Sequence, residues 1–200
     1  MIWGFVLLAY LVGATPTSYL VGRLVYGIDL RQRGSGNLGA TNVFRVLGWR
    51  AAVPVGLVDV AKGAVPVALF PRWDQTAAPE WALAYGAAAI VGHVFSVYVR
   101  FKGGKGVATS AGVFAALAPW ATLAALGAWV VVVALTRIVS LGSLVAAVTL
   151  PVAVYLTDEP MLELSLAVGL ALFVIYAHRS NIGRLLRGEE NRFGEKGSAP

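Results

Sequence analysis

No cysteine occurs among the 200 residues, and only two histidines do, His93 and His178. The first absence excludes disulfide scaffolds, thiolate metal sites, iron–sulfur clusters and any cysteine nucleophile. The second, in a chain without clustered carboxylates, leaves no usual Zn, Mg or Ca shell, so neither metal nor cofactor is expected. Charge is scarce as well. Charged residues make up 13% of the chain and hydrophobic ones 58%, whereas soluble domains carry about 25% charged residues. A chain this apolar cannot cover its surface with polar groups, so lipid must be its main solvent. The 23 glycines and 9 prolines show no G-X-Y period, which removes collagen, and the abundance of apolar residues removes disorder. The expected class is an all-α polytopic integral membrane protein.

Long apolar stretches run over 1–22, 51–70, 81–99, 107–135, 138–156 and 161–177. The first has no basic residue ahead of it and reads as a retained helix instead of a signal peptide. Arg23, Arg31, Arg33, Arg45 and Arg50 fall between the first two stretches, Arg100, Lys102 and Lys105 follow the third, and Arg179, Arg184, Arg187, Arg192 and Lys196 lie in the tail. The loops around Asp74–Glu80 and Asp158–Glu163 are acidic. Because Lys and Arg concentrate on the cytoplasmic side, the N-terminus is expected outside and the C-terminus in the cytoplasm. Parity then makes 107–135 begin and end inside, so it must hold two crossings, broken at Ala118-Pro119-Trp120 where proline ends a helix. That predicts seven transmembrane helices, the fourth short: 107–118 reaches only about 18 Å at helical rise and should pack within protein. All 16 basic residues except Lys62 and Arg72 then lie on the cytoplasmic side, and the net charge of +6 needs no nucleic acid to explain it. No repeat or long linker divides the chain, so 1–200 is expected to form one membrane-embedded domain with a flexible tail from about 190 to 200.

Three cytoplasmic segments are too rich in glycine, hydroxyl, amide and basic residues to be simple connectors. In Gly34-Ser35-Gly36-Asn37-Leu38-Gly39-Ala40-Thr41-Asn42-Val43-Phe44-Arg45, glycines allow a backbone nest for an anion. Ser35, Asn37, Thr41 and Asn42 add hydrogen bonds there, and Arg45 offers a fork to two phosphate oxygens. The structural alternative is a turn with helix caps. Gly103-Gly104-Lys105-Gly106 leads into a helix and resembles part of a P-loop. Walker A, however, needs Ser or Thr where Gly106 stands, and a strand before it. Lys105 remains a point charge suited to phosphate, or else a positive-inside anchor. In the third segment, from His178 to Glu190, continuation of the last helix would put His178, Asn181 and Arg184 on one polar stripe, for substrate or for headgroups.

Asp59 and Lys62 lie within an apolar stretch, where ionisable residues are costly unless paired or facing a cavity, and their spacing permits a local pair. Ser140 and Ser143 near a helix start read first as caps, and His93 as a hydrogen-bonded packing residue. An HExxH motif is absent. So is the H-x-x-x-x-D dyad of many acyltransferases, since Tyr98 and Gly183 stand five residues after the two histidines.

Together and in this order, GSGNLGATNVFR, GHVFSVYVRFKGGKGVATS and HRSNIGRLLRGEE resemble the bacterial acyl-phosphate:glycerol-3-phosphate acyltransferases, the PlsY family, and GATPTSYLVGR and DVAKG extend the likeness over nearly the whole chain. The resemblance implies an enzyme of the bacterial cytoplasmic (inner) membrane, with its active site facing the cytoplasm. It would move a fatty acyl group from long-chain acyl phosphate to the 1-hydroxyl of glycerol 3-phosphate, giving lysophosphatidic acid and phosphate, the first committed step of phospholipid synthesis. Carried over by position, it implies catalytic roles for Ser35, Lys105, His178 and Asn181. Phosphate binding would fall to Gly34, Ser35, Gly36, Asn37, Thr41, Asn42, Arg45, Gly103, Gly104 and Lys105, with Arg50 and Ser143 as further substrate contacts. Partners implied are the two substrates and membrane lipid, without nucleic acid or an obligate protein partner. The alternative function is a transporter of phosphorylated solutes, which would share the basic loops and the Asp59–Lys62 pair.

Overall fold

The computed structural model describes residues 1–75 and 78–193. Among them every regular element is helical, α-helices joined by short 3₁₀ and π-helical turns. A chain dissolved in lipid must satisfy its backbone internally, and helices do this within one segment. Two compact units divide the chain, Met1–Leu117 and Ala118–Pro200, and the boundary falls at the Ala118-Pro119 break expected from the sequence.

The first unit holds α1 (Ile2–Ala14), α2 (Thr17–Leu20, continued by a π-helical turn Val21–Val25), α3 (Ala40–Leu47), α4 (Trp49–Trp73), α5 (Pro79–Val94) and α6 (Val107–Leu117). The opening apolar run is not one straight helix, because it bends by 42° at Thr15-Pro16, where proline has no N–H to continue the ladder. Packing is closest along α1–α5 and α4–α6, and both crossings run over glycine. A Cβ on Gly92 would collide with the Tyr10 carbonyl, and one on Gly112 with the Val60 carbonyl. Helix α6 is short, 11 residues, and buries Val113 and Phe114 completely. Two apolar clusters brace this unit. Leu30, Leu38, Val43, Val55 and Val99 pack beneath the first glycine-rich loop, while Ala9, Phe70 and Tyr85 meet elsewhere, with the Tyr85 hydroxyl donating to Asp74.

The second unit holds α7 (Pro119–Thr136), α8 (Val139–Leu156), α9 (Met161–Ala177) and α10 (Arg179–Leu186), with α8 packed against both α7 and α9. The last helix does not continue through His178, since α10 turns 59° away from α9. Of the expected flexible tail, Glu190 is described and buried at 8% exposure, and residues 194–200 lie outside the described residues.

Four segments are long and apolar enough to cross a membrane: Trp49–Trp73, Pro79–Val99, Pro119–Thr136 and Val139–Leu156. Counting each bent pair as one span raises the number to six. The sequence expectation of seven rests on α6 in addition. Exposed aromatics stand at helix ends, with Trp3 opening α1, Trp49 and Trp73 bounding α4, Trp120 opening α7, and Tyr155 and Tyr176 closing α8 and α9. That is the distribution expected where rings sit at a membrane–water interface.

Candidate active site

In the first unit the loop ahead of α3 is built around one amide. Asn42 is buried to 1% exposure. Its Nδ2 donates to the Leu30 and Arg33 carbonyls, each at 3.1 Å, while its Oδ1 accepts from the Ser35 N–H at 2.8 Å. Gly34 and Gly36 take positive φ, 59° and 71°, which side-chain-bearing residues rarely adopt. A Cβ on Gly34 would strike Asn42 Oδ1. Both amide protons of Asn42 are therefore spent inside the loop, and it organises the segment instead of donating to an anion as the sequence suggested. Ser35, Thr41 and Arg45 are exposed, and Asn37 is half-buried. Arg50 is also exposed and lies over the Trp49 ring at 5.6 Å.

Asp29, which sequence reasoning passed over, anchors the other end of this loop. Its carboxylate accepts from Arg31 at 2.7 Å and Arg23 at 3.1 Å and caps the 3₁₀ turn Leu30–Gln32 through the Arg31 N–H. The hydrogen-bonded Arg31 guanidinium, with Arg23 behind it, outweighs burial and holds this carboxyl down from 3.8 to about 2.

The second loop follows α5. Gly103 and Gly104 donate their N–H groups to the Val94 and His93 carbonyls at 2.9 and 3.1 Å, so these amides are also used within the chain. A Cβ on Gly104 would collide with His93 Nε2 and crowd the Leu38 carbonyl. Only a glycine lets this segment lie between the end of α5 and the first loop. Lys105 is half-buried and stands two residues before α6, whose N-terminal dipole favours an anion. The first unit thus brings the Leu38 region of the first loop against the Gly103–Gly104 segment of the second.

In the second unit Ser140, Asn181 and Arg184 gather around Glu190, the last residue of the third segment. Glu190 accepts from Asn181 Nδ2 at 2.7 Å, from Ser140 Oγ at 3.0 Å and from Arg184 Nε at 2.7 Å. Burial pushes its carboxyl up, but the bonds from Asn181, Arg184 and Ser140 more than offset this and leave it below its ordinary value. Asn181 and Arg184 share a stripe as expected, on α10, yet the stripe faces a carboxylate. His178, buried at the α9–α10 bend, places Nδ1 2.8 Å from the Val174 carbonyl. Since a carbonyl only accepts, Nδ1 carries a proton. Neither serine caps α8. Ser143 Oγ returns to the Val139 carbonyl at 3.0 Å, and Ser140 is spent on Glu190.

Comparison with known proteins bears on this chemistry. The profile of the glycerol-3-phosphate acyltransferase family matches residues 3–188. The glycerol-3-phosphate acyltransferase of Synechococcus elongatus is 45% identical over 196 residues, covering 95% of this chain and 93% of its own. That of Fusobacterium nucleatum is 42% identical over 189 residues, covering 94% and 96%. A crystal structure of PlsY (YgiH), an integral membrane glycerol 3-phosphate acyltransferase, in its glycerol 3-phosphate form matches with a TM-score of 0.90 at 37% identity, covering 96% of each chain. The lysophosphatidic acid form of PlsY matches at 0.87 and 36% identity, covering 96% of this chain and 95% of that one.

Proposed function

Because the chain belongs to the glycerol-3-phosphate acyltransferase family, we propose that it takes its acyl group from a long-chain acyl phosphate and delivers it to the 1-hydroxyl of glycerol 3-phosphate. It is a membrane acyltransferase acting on glycerol 3-phosphate, and the transport alternative has no support among its relatives. The observation that carries the reading of the site is the cationic glycine-rich cradle of the first unit. There Asn42 holds the first loop rigid, Ser35, Thr41 and Arg45 stand exposed on it, and the Gly103–Gly104 segment ahead of Lys105 abuts it. Donors fixed before substrate arrives are worth most where charge develops.

Acyl phosphate is a mixed anhydride with a good leaving group, so positioning and charge stabilisation suffice. The glycerol oxygen bonds to the acyl carbon, the bond from that carbon to the phosphate oxygen breaks, and inorganic phosphate leaves. The hydroxyl proton passes to a phosphate oxygen, with no acyl-enzyme. In the first unit, Arg45 and Lys105 counter phosphate charge and Ser35 and Thr41 hydrogen-bond to it. Gly34, Gly36, Gly103 and Gly104 supply close backbone approach, with Asn37 beside them and Arg50 as an outer cation. In the second unit, His178 and Asn181 orient glycerol 3-phosphate, with Ser143 as a further contact. We place the protein in the bacterial inner membrane with seven crossings, the N-terminus outside and the site facing the cytoplasm, on the support of the basic-residue distribution.

Intact mass of the enzyme after incubation with palmitoyl phosphate alone tests direct transfer. An unmodified mass is expected, and an acylated Ser35 would overturn it. With both substrates, His178→Ala is expected to raise the KM for glycerol 3-phosphate. Loss of turnover at unchanged KM would instead make His178 the general base.

A further inference from the structure

A buried polar cluster built on an ion pair lies beneath the second glycine loop, and the reaction above gives it no task. Asp59 and Lys62 pair across one turn of α4, Nζ to Oδ1 2.8 Å, and His93 brings Nδ1 to 3.9 Å from the same oxygen. All three are at most 7% exposed. Lys62 Nζ also donates to the Thr15 carbonyl at 2.9 Å, and the Ser96 hydroxyl donates to the Ala14 carbonyl. Side chains thus cover the carbonyls at the broken end of α1, as lipid surroundings require.

The cavity these groups enclose with Thr17, Leu38, Gly103 and Gly104 measures about 10 Å³, room for one water and no more. Glycerol 3-phosphate cannot enter it. The cluster therefore acts from underneath. The His93 carbonyl accepts from Gly104, its ring faces the point where a Gly104 Cβ would stand, and the Leu38 carbonyl borders the same point. A buried ion pair adds little net stability over apolar packing of the same volume, so its fixed geometry is the property to explain.

We propose that Asp59, Lys62 and His93 are positioning residues, a polar mount that seats the Gly103–Lys105 segment against Leu38 and so fixes where the Lys105 ammonium meets phosphate. The inference rests on the reading of Lys105 as a phosphate contact.

The test is a set of double-mutant cycles in lipid nanodiscs. Lys62→Met, Lys62→Arg and His93→Gln are each made in the natural chain and with Lys105→Arg, which keeps a cation and a residual rate. The readouts are kcat/KM for glycerol 3-phosphate, inhibition by inorganic phosphate, and the thermal midpoint. In the natural background, Lys62→Met and His93→Gln are expected to lower kcat/KM and weaken phosphate inhibition about 10- to 100-fold, the cost of misplacing a group by roughly an ångström, while cooperative unfolding persists. Lys62→Arg should recover most of the loss. With Lys105→Arg the same changes should cost less than about threefold, because coupled residues are not additive. Equal losses in both backgrounds, or no loss in folded variants, would overturn the proposal. If Lys62→Met does not fold, His93→Gln carries the cycle alone. Full activity of Lys105→Arg by itself would instead defeat the reading of Lys105, and the mount with it.

Discussion

Two carboxylates outside the membrane spans, Asp29 and Glu190, gather polar partners in the first loop and around α10, and neither was a candidate site residue in the sequence. Each reads as an ordinary charge, because its partners, Arg23 and Ser140 among them, become neighbours only on folding. The candidate site residues legible beforehand were those whose type suits an exposed anion, such as Ser35, Thr41 and Arg45. Asn42 was legible as a candidate anion contact but not as the loop's hub, since its amide protons could be assigned only once the Leu30 and Arg33 carbonyls were located. Both carboxyls are held below their ordinary values, so each binds fewer protons folded than unfolded. Their stabilisation is complete above the unfolded value, about 4, and fades as pH falls, for Asp29 through about 2. A thermal midpoint followed from pH 7 to pH 3 in detergent should hold down to about pH 5 and then decline. Glu190→Gln should lower the midpoint at neutral pH, removing a charge-assisted hydrogen bond of about 2 kcal/mol, and should make the acid decline shallower. An acid profile identical to the natural chain's would disconnect Glu190 from it.

At the level of elements, the sequence marked where helices lie better than how they meet. Apolar runs and Pro119 predicted the four long apolar helices and the α6–α7 break, because lipid leaves the backbone few alternatives to helix. The bends at Thr15-Pro16 and at His178 were not predicted. Their exposed backbone groups find partners such as Lys62, Ser96 and the His178 ring, which are remote or ambiguous in sequence. Glycines separate into two kinds that composition cannot distinguish. Gly63 and Gly112 lie where a Cβ would strike the Thr109 or Val60 carbonyl, whereas Gly4 and Gly169 have nothing within 4 Å. Gly63→Ala and Gly112→Ala are expected to lower the unfolding midpoint in detergent by several degrees. Gly169→Ala should be neutral or stabilising by up to about 1 kcal/mol from helix propensity. Equal effects at both kinds of site would contradict the close α4–α6 crossing. Ser96→Ala should cost about 1 kcal/mol, the scale of an intramembrane hydrogen bond, read in the same unfolding experiment.

Over the whole molecule, the basic residues carry the expected orientation, and the absence of cysteine allows it to be tested without background. Single cysteines at Ser35 and Ser180 should react with an impermeant maleimide only after cells are opened, and one at Asp158 should react from outside in intact cells. The reverse pattern would invert the topology. The function was legible because three short segments carry chemistry that composition alone does not, and the two units each hold part of that chemistry. The central claim is that acyl phosphate is the direct donor to glycerol 3-phosphate. Phosphate release and lipid product should therefore be measured for the purified protein in lipid, with palmitoyl phosphate or palmitoyl coenzyme A, with and without glycerol 3-phosphate. The account predicts release that depends on glycerol 3-phosphate, with lysophosphatidic acid formed from palmitoyl phosphate alone. Lysophosphatidic acid formed from palmitoyl coenzyme A, or none formed from palmitoyl phosphate by folded protein, would contradict it.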